Sequence, residues 1–406
     1  MLELDGRTLS YSEFKEKCLR PNLPAIIHHA NGLSDSWFDV ELLIRHLSPE
    51  GLLDGFGDAH IVPVCAISTP FAREASQAKG AADSVGDGSS AAVPLCQVLG
   101  SWLSPPPLLY LKDWHLQQER EARLGGGDES GNEAVRMRPH GVGLYRVPDY
   151  LGGDWLNGFS AEAATASSVP PLCGFGNGHE DYRFAYIGPT GTWTPLHYDV
   201  FGTYSWSFNV CGKKRWFFPT HEGNEFLKQH TIKGFPAPPD IRVLQGFEYW
   251  SFVQHPGELV FVPSHYYHQV HNVEGEEFEL STSRSLTCFQ TPREKRLLSL
   301  SISVNHNWCN EFCIERMVRL FLDDASYLRQ SLDSMDMAAA YGLDNPVLWA
   351  QKLEEMLLNG TNWSFRSMLS FLGYIQAQFP MLGESVINTL VSLESKVREA
   401  QATLFT

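Results

Sequence analysis

Short β-rich runs follow one another between residues 182 and 308, and this series constrains the fold more than any other feature of the sequence. The runs are YRFAYIG, TWTPLHYDV, TYSWSFNVCG, KRWFFPT, GELVFVP, YYHQVHNV and LLSLSISVNHNW. Gly, Pro or Asn turns separate them, and no helical periodicity lies between them. Many short strands in series form a sandwich or a barrel, so we predict a β core, with a jelly roll as the natural candidate.

The sequence on either side of this core has a different character. Residues 1–181 mix a Ser-capped helical pattern, SYSEFKEKCL, with strand-like runs such as LPAIIHHA and PPPLLYLKDWHL. Residues 309–406 have apolar side chains three and four apart, which is typical of helices. We therefore predict a mainly β fold with helices, of the α+β class: a mixed α/β region over 1–181, the core over 182–308 and a helical region over 309–406.

Two stretches of the N-terminal region read as loose loops. Residues 71–93 and 117–138 are rich in small and polar residues, and both contain several glycines. The GGG at 125–127 lies among charged residues and does not follow a strand. A phosphate-binding loop is therefore not expected there.

Composition excludes several classes of protein. The net charge of −16 gives an acidic surface that repels phosphate backbones, so we expect no direct binding to nucleic acid, whereas a basic protein partner is compatible. No apolar run is long enough for a transmembrane helix, and the N-terminus has no signal-peptide pattern, so no membrane partner is expected. The 8 cysteines include no Cys-x-x-Cys pair, which indicates reduced thiols in an intracellular protein.

The stretch TPLHYDVFG contains the first candidate for chemistry. His197 and Asp199 are two residues apart, so on a β-strand both side chains point to the same face. Two ligands hold a catalytic metal poorly, and PSHYYHQVHN offers a third in His265, His268 or His271. His268 and His271 are three apart and face opposite sides of a strand, so only one of them can point inward.

Two histidines and one carboxylate leave positions open on a metal, as in the non-haem Fe(II) oxygenases. Structural zinc would instead be closed by four ligands. A His-x-Asp pair alone arises by chance in many proteins. The later histidine and a lysine beyond the pair strengthen the interpretation as a metal site.

The lysine belongs to CGKKRWFFPT. An oxygenase of this kind uses 2-oxoglutarate, whose far carboxylate needs a fixed cation. Lys213, Lys214 and Arg215 are the candidates. If the strand continues, alternation turns Lys214 inward, while a solvated basic turn after Gly212 accounts well for its two neighbours.

With these residues in place, the chain resembles the JmjC family of Fe(II)- and 2-oxoglutarate-dependent oxygenases. The similar stretch runs from YRFAYIGPTGTWTPLHYDVFGTYSWSFNVCGKKRWFFPT through QHPGELVFVPSHYYHQVHN to SISVNHNW. Within the family, LYLKDWH, DYLGGDWLN and NHNW look most like the subgroup of release-factor lysyl hydroxylases. The resemblance implies a double-stranded β-helix, the cupin-like jelly roll, with Fe(II) and 2-oxoglutarate as cofactors and O2 as cosubstrate.

The resemblance also implies roles for individual residues. The iron ligands would be His197, Asp199 and His268. Lys214 and Tyr110 would bind the far carboxylate of 2-oxoglutarate. Thr194 would supply a hydroxyl beside that carboxylate, and Asn305 would line the cosubstrate pocket.

Two departures from the family pattern stand out. A glycine is common where His265 lies, so we expect this extra imidazole to stay outside the metal's ligand set. Residues 274–299 form an insertion where relatives have a short turn. If it disturbs the last strand, the assignment of Asn305 fails first.

The subgroup implies hydroxylation of a lysyl carbon in a basic, lysine-bearing translation termination release factor, in the cytoplasm and with the nucleus as a second location. The alternatives are a JmjC demethylase of N-methyl-lysine or N-methyl-arginine and a non-catalytic cupin-like binding protein. The intact ligand set argues against the latter, and the cysteine pattern shows no zinc-finger reader module of the kind that usually accompanies histone demethylases. A cupin-like isomerase would not need Lys214 or Tyr110.

Overall fold

A computed structural model describes most of the chain in two compact units. The described residues are 1–32, 37–67, 90–103, 108–125, 143–166, 181–231, 239–246, 248–280, 296–334, 346–361 and 363–404. The first unit comprises Met1–Gly152, Arg183–His197 and Ser205–His306. The second comprises Gly153–Tyr182, Tyr198–Tyr204 and Asn307–Thr406. The units interleave along the chain, whereas the three predicted regions follow one another in sequence.

The strands, in chain order, are β1 Leu2–Asp5, β2 Ala25–His28, β3 Ile61–Ile67, β4 Ser90–Pro94, β5 Leu108–Trp114, β6 Arg183–Pro189, β7 Trp193–His197, β8 Tyr204–Cys211, β9 Lys213–Pro219, β10 Tyr249–Gln254, β11 Leu259–Val262, β12 His268–Glu274, β13 Glu276–Leu280 and β14 Arg296–Trp308.

The α-helices are α1 Tyr11–Phe14, α2 Val40–Leu47, α3 Pro49–Phe56, α4 Leu95–Trp102, α5 Leu116–Gly125, α6 Trp155–Ala166, α7 His221–His230, α8 Ile314–Ser334, α9 Pro346–Thr361, α10 Phe365–Gln378 and α11 Glu384–Leu404. None of the described helices is long and apolar enough to cross a membrane.

Two β-sheets build the first unit. The larger has the order β1-β2-β11-β8-β14-β6-β5-β3-β4, with β13 paired to β14 outside this path. The smaller has the order β10-β9-β12-β7. Most of their neighbouring strands are antiparallel, and the pairs β11 with β8, β12 with β9 and β14 with β6 join distant parts of the sequence, as expected for a jelly roll. The mixed α+β class with a cupin-like jelly-roll core is therefore confirmed.

Apolar side chains from both sheets meet in one buried cluster. Val260 and Val262 of β11 come from the larger sheet, while Trp216 and Phe218 of β9 come from the smaller one. Tyr266 lies in the same cluster, just before β12. Burial of these large side chains supplies the main stabilising term for the pair of sheets.

The N-terminal region contributes strands to the larger sheet and one well-defined helix start. As the sequence predicts, Ser10 caps α1, with its hydroxyl accepting a hydrogen bond from the backbone N–H of Glu13 at 3.2 Å. The predicted strands around LPAIIHHA and PPPLLYLKDWHL are present as β2 and β5.

The two predicted loose loops differ from the structure at their ends. The stretch 117–138 begins within α5, because Leu116–Gly125 is helical, and the stretch 71–93 ends within β4. Polar composition masked the helical spacing of α5. The remainder of each stretch, 126–138 and 71–89, lies outside the described residues.

Helices α8 to α11, which the apolar periodicity of the C-terminal region predicts, dominate the second unit together with α6 from the N-terminal region. Aromatic side chains pack together within it. Phe365 lies edge-on to Phe321 with ring centroids 5.1 Å apart, and Trp363 lies edge-on to Phe371 at 5.4 Å.

Candidate metal centre

Two histidines lie opposite each other in the smaller sheet. β7 and β12 are antiparallel neighbours, and their register pairs His197 with His268. The two ring centroids are 4.2 Å apart. The pairing explains how residues that are distant in sequence come together at one point.

Asp199 joins them from the chain just beyond β7. The strand ends at His197, so the prediction that both residues lie on one strand is wrong in its detail. The backbone of Asp199 is nevertheless extended, with φ −68° and ψ 157°, before the short turn Val200–Gly202 begins. Because extended backbone preserves the two-residue alternation, Asp199 still converges with His197.

Backbone carbonyls orient both imidazoles. The Nδ1 of His197 lies 2.8 Å from the carbonyl oxygen of Pro195, and the Nδ1 of His268 lies 3.2 Å from that of Tyr266. A carbonyl oxygen only accepts, so each Nδ1 carries the hydrogen. The lone pair of each Nε2 is then available to a metal, which is the usual support for a histidine ligand.

The other two histidines of the β12 region have different surroundings. His271 stacks on Trp193, with ring centroids 5.1 Å apart, and its Nε2 accepts a hydrogen bond from Gln269 at 2.6 Å. Burial, followed by the charge of Arg242, lowers the pKa of His271 to about 4. His265 lies before the strand with a positive φ of 51° and is not in the ligand cluster. His268 is therefore the histidine that faces His197, as the family resemblance implies.

The donor set fits Fe(II). His197, Asp199 and His268 each offer one ligand atom, and these atoms all lie within 4.8 Å of one another. Two neutral nitrogens and one carboxylate oxygen, with no sulfur, suit a non-haem iron that keeps positions open for other ligands. Trp216 and Phe218 stack against His268 at 5.8 Å and keep that side of the centre apolar.

Lys214 is buried inside the jelly roll. Along β9, Lys213 is half-buried, Lys214 is only 2% exposed and Arg215 is exposed, so the alternation expected from the sequence is observed. Lys213 instead pairs with Glu274 at 2.8 Å. The Nζ of Lys214 donates to Ser303 Oγ at 2.5 Å, and burial lowers the pKa of Lys214 to about 7. A buried cation with few partners is suited to binding a ligand carboxylate.

Tyr110 and Thr194 are brought together beside the strands that carry the histidines. The Tyr110 hydroxyl has hydrogen bonds with Thr194 and Asn272, and burial, which is the largest effect, raises the pKa of Tyr110 well above its usual range. Thr194 lies on β7 opposite Val270 of β12. The roles of both residues toward 2-oxoglutarate stay predictions.

Asn305 lies in an intact strand. β14 pairs with β6 from Leu300 to His306, and the side-chain oxygen of Asn305 accepts a hydrogen bond from Ser207 Oγ at 2.9 Å. The first part of the insertion forms β13, which pairs antiparallel with the start of β14, Glu276 opposite Leu300. The described part of the insertion thus extends the sheet, and residues 281–295 lie outside the described residues.

Sequence reasoning missed the partners of the predicted residues. Ser303 holds Lys214, and Asn272 holds Tyr110. The orientation of Ser303 was detectable in principle, because Ser301, Ser303 and Asn305 alternate along SISVNHNW and therefore share one face of β14, but its pairing with Lys214 was not.

Comparison with known proteins agrees with this centre. Residues 184–275, which contain all three ligands, match the family model described as "JmjC domain, hydroxylase". The 2-oxoglutarate and iron-dependent oxygenase JMJD4 of Mus musculus is 28% identical over 381 residues, covering 90% of this chain and 72% of the mouse protein. Its namesake from Danio rerio is 28% identical over 279 residues, covering 66% of this chain and 50% of its own length.

A relative with a different name has a comparable sequence identity to this chain. The arginine-specific demethylase JMJ20 of Arabidopsis thaliana is 26% identical over 346 residues, covering 82% of this chain and 62% of the plant protein. The chain thus spans between 50% and 72% of the length of these three curated relatives. Residues 184–275 thus resemble a JmjC domain, and over most of its length the chain is similar to the JMJD4 subgroup of 2-oxoglutarate and iron-dependent oxygenases.

Proposed function

We propose that this chain is an Fe(II)- and 2-oxoglutarate-dependent protein hydroxylase that acts on a lysyl carbon of a translation termination release factor. The observation that carries the oxygenase chemistry is the cluster of His197, Asp199 and His268, whose ligand atoms lie within 4.8 Å of one another. Iron held by these residues, with 2-oxoglutarate and O2, supplies the oxidising power for hydroxylation of an unactivated C–H bond.

The surrounding residues bind and orient the cosubstrate. Lys214 supplies the cation for the far carboxylate, and Ser303 holds its Nζ in place. Tyr110 adds a hydroxyl donor that Thr194 and Asn272 position. Because Lys214 and Tyr110 are both 2% exposed, their interactions with an anion are little weakened by water.

The charge of the chain supports a basic protein substrate. The net charge is −16, so a lysine-rich partner is attracted to it. A release factor acts where translation occurs, so we place the activity in the cytoplasm.

The test is incubation of the purified chain with Fe(II), 2-oxoglutarate, O2 and a lysine-bearing release-factor fragment. The expected result is succinate together with a fragment heavier by one oxygen, with the added oxygen on a lysine in the fragmentation spectrum. The His197→Ala variant is the matched control and should give neither product. Succinate without a modified fragment would reject this substrate and keep the oxygenase, whereas full activity of His197→Ala would refute the assigned centre.

The name of the Arabidopsis relative favours a second candidate, demethylation of an N-methyl-arginine. The same ligand set serves both reactions, since oxidation of an N-methyl carbon is followed by loss of formaldehyde. A parallel incubation with an N-methyl-arginine peptide separates them. Demethylation predicts a product lighter by one methylene group and release of formaldehyde, and hydroxylation predicts neither.

A further inference from the structure

β5 contains an irregularity beside the candidate metal centre. Its pairing with β6 joins Leu111 to Ile187 and Trp114 to Ala185, so β5 has one more residue than β6 between these two pairs. The additional residue makes a β-bulge at Lys112 and Asp113. Bulges of this kind turn a side chain in a new direction and are frequent next to active sites.

Asp113 adopts the backbone conformation that the bulge requires. Its φ of 59° lies in the left-handed region, where glycine is the residue without a steric penalty. An aspartate at this position therefore has a modest conformational cost compared with glycine. A charged side chain at a position that favours glycine points to a use for the charge.

The carboxylate of Asp113 is held but still open to solvent. Its Oδ1 accepts a hydrogen bond from the Tyr186 hydroxyl at 2.6 Å, and its Oδ2 lies 3.3 Å from Lys112 Nζ. The side chain is 48% exposed, whereas that of Lys112 is 16% exposed. A carboxylate has about four acceptor positions, so two known partners leave it able to accept from a third group.

Tyr186 connects this carboxylate to the cosubstrate residues. The Tyr186 ring lies 5.9 Å from the Nζ of Lys214 and 6.2 Å, between centroids, from the ring of Tyr110. His197 is close enough to Asp113 for the two side chains to interact electrostatically. Asp113 thus lies at the edge of the same centre, with one side on Tyr186 and the other facing solvent.

Asp113 is an anion at neutral pH. Loss of water from the inner side of the carboxylate is the largest single influence and opposes ionisation, but Lys112 and the Tyr186 hydrogen bond together outweigh it and lower the pKa of Asp113. An ionised, half-exposed carboxylate at the edge of a reaction centre attracts cations.

We infer that Asp113 binds the cationic side chain of the substrate protein and places its carbon chain beside the metal centre. The inference rests on the proposed function and names the chemistry of the residue that enters the site: a lysine ammonium or an arginine guanidinium. Asp113 forms a charge-assisted hydrogen bond with the cation, and the Tyr186 hydrogen bond fixes the carboxylate's direction. Discrimination against neutral side chains of the same length follows, because these leave the carboxylate without its third partner.

A binding experiment tests this independently of turnover. The protein is loaded with 2-oxoglutarate and Mn(II) in place of iron, and is mixed with short peptides of random flanks around a fixed central residue. The central residue is lysine, arginine or norleucine, which has the lysine carbon chain without the ammonium group, and peptide retained at equilibrium is measured by mass spectrometry. One charge-assisted hydrogen bond predicts that a cationic pool is retained about tenfold more than the norleucine pool.

Asp113→Asn keeps the shape of the side chain and removes its charge, and should bring the pools to within about twofold of each other. The control is Asp149→Asn, which makes the same change at a side chain that is 79% exposed and near Arg146 at 3.5 Å. It should keep the preference of the unmodified protein. Whether the lysine or the arginine pool is retained more strongly identifies the source of the cation.

A second variant separates recognition from support of Tyr186. Tyr186→Phe removes the hydrogen bond and leaves the carboxylate, so the cationic preference should persist, weakened by less than that of Asp113→Asn. Equal loss in both variants, an unchanged preference in Asp113→Asn, or no preference in the unmodified protein would overturn the inference. If the release-factor fragment is not modified but the cationic preference is present, the proposed substrate fails while Asp113 keeps its assignment.

Discussion

His197 and His268 are a register pair of β7 and β12, and each donates its Nδ1 hydrogen to the carbonyl oxygen two residues earlier in the chain. The same local arrangement thus occurs on two antiparallel strands. It fixes both tautomers before any metal binds, so little reorganisation is needed on binding. Folding of the smaller sheet therefore places both imidazoles for metal binding.

Removal of one histidine ligand should abolish iron binding at stoichiometric concentrations. His268→Ala leaves one imidazole and one carboxylate, which hold a divalent metal poorly, and we expect affinity for Fe(II) or Mn(II) to fall by at least about a hundredfold. Calorimetric titration with Mn(II) under 2-oxoglutarate measures this directly. Comparable affinity in His268→Ala would contradict the assigned ligand set.

His271→Ala is the matched control for that measurement. His271 lies on the same strand but stacks on Trp193 and bonds Gln269, so it faces away from His197. Its removal should cost stability through lost packing and leave metal affinity within about twofold. A large loss of metal affinity here would mean that the wrong histidine of β12 has been chosen.

The charge state of Lys214 should make 2-oxoglutarate binding depend on pH. Burial lowers the pKa of Lys214 to about 7, from the ordinary value of 10.5 for a lysine in water. A dianionic ligand favours the protonated amine, so above pH 7 the ligand can bind well only with uptake of one proton. The apparent Kd for 2-oxoglutarate should therefore rise as pH increases from 7 to 9, approaching about tenfold per pH unit.

The ligand-free protein should become more stable with rising pH, over the same range in which 2-oxoglutarate binding weakens. Between pH 7 and 10.5 the unfolded chain binds a proton at Lys214 that the folded protein lacks, so this residue makes the free energy of unfolding rise with pH across that window. Lys214→Met should remove both dependences and weaken 2-oxoglutarate binding by about tenfold or more. Calorimetric titration of 2-oxoglutarate in buffers of different ionisation enthalpy counts the protons taken up on binding. No proton uptake at pH 8 would refute the coupling between 2-oxoglutarate binding and protonation of Lys214.

The sequence predicts the strands of the core well, because alternation and turn residues act locally. It also predicts that Lys214 turns inward between Lys213 and Arg215. Pairing across the sheets is not local, so the partnership of Lys214 with Ser303 and the bulge at Asp113 could not be read from either segment alone. The helices α5 and α7 were missed for a different reason, since both are largely polar and resemble loops in composition; α7, His221–His230, lies within the stretch for which no helix is predicted.

Loss of the Tyr110 hydroxyl should weaken cosubstrate binding with little effect on the fold. Burial raises the pKa of Tyr110, so the hydroxyl is a neutral donor over the working range of pH. Tyr110→Phe keeps the ring in its apolar cluster and removes one hydrogen bond, which corresponds to about a two- to tenfold increase in the KM for 2-oxoglutarate. Succinate formation at varied 2-oxoglutarate measures this, and an unchanged KM would remove Tyr110 from the cosubstrate site.

The position of Tyr110 depends on a glycine of the neighbouring strand. A Cβ added at Gly188 of β6 would lie 2.5 Å from the Tyr110 ring and 2.7 Å from Thr192 Oγ1, so Gly188→Ala must displace the ring. We expect a loss of about 1–3 kcal/mol in the free energy of unfolding together with a raised KM for 2-oxoglutarate. Gly153→Ala, where nothing lies within 4 Å of the added Cβ, should leave both quantities nearly unchanged. Denaturant unfolding measures the free energy of unfolding of the two variants, and initial-rate kinetics measure their KM for 2-oxoglutarate. A loss of stability in Gly188→Ala with no change in KM would show that the position of the Tyr110 ring is not critical for the cosubstrate.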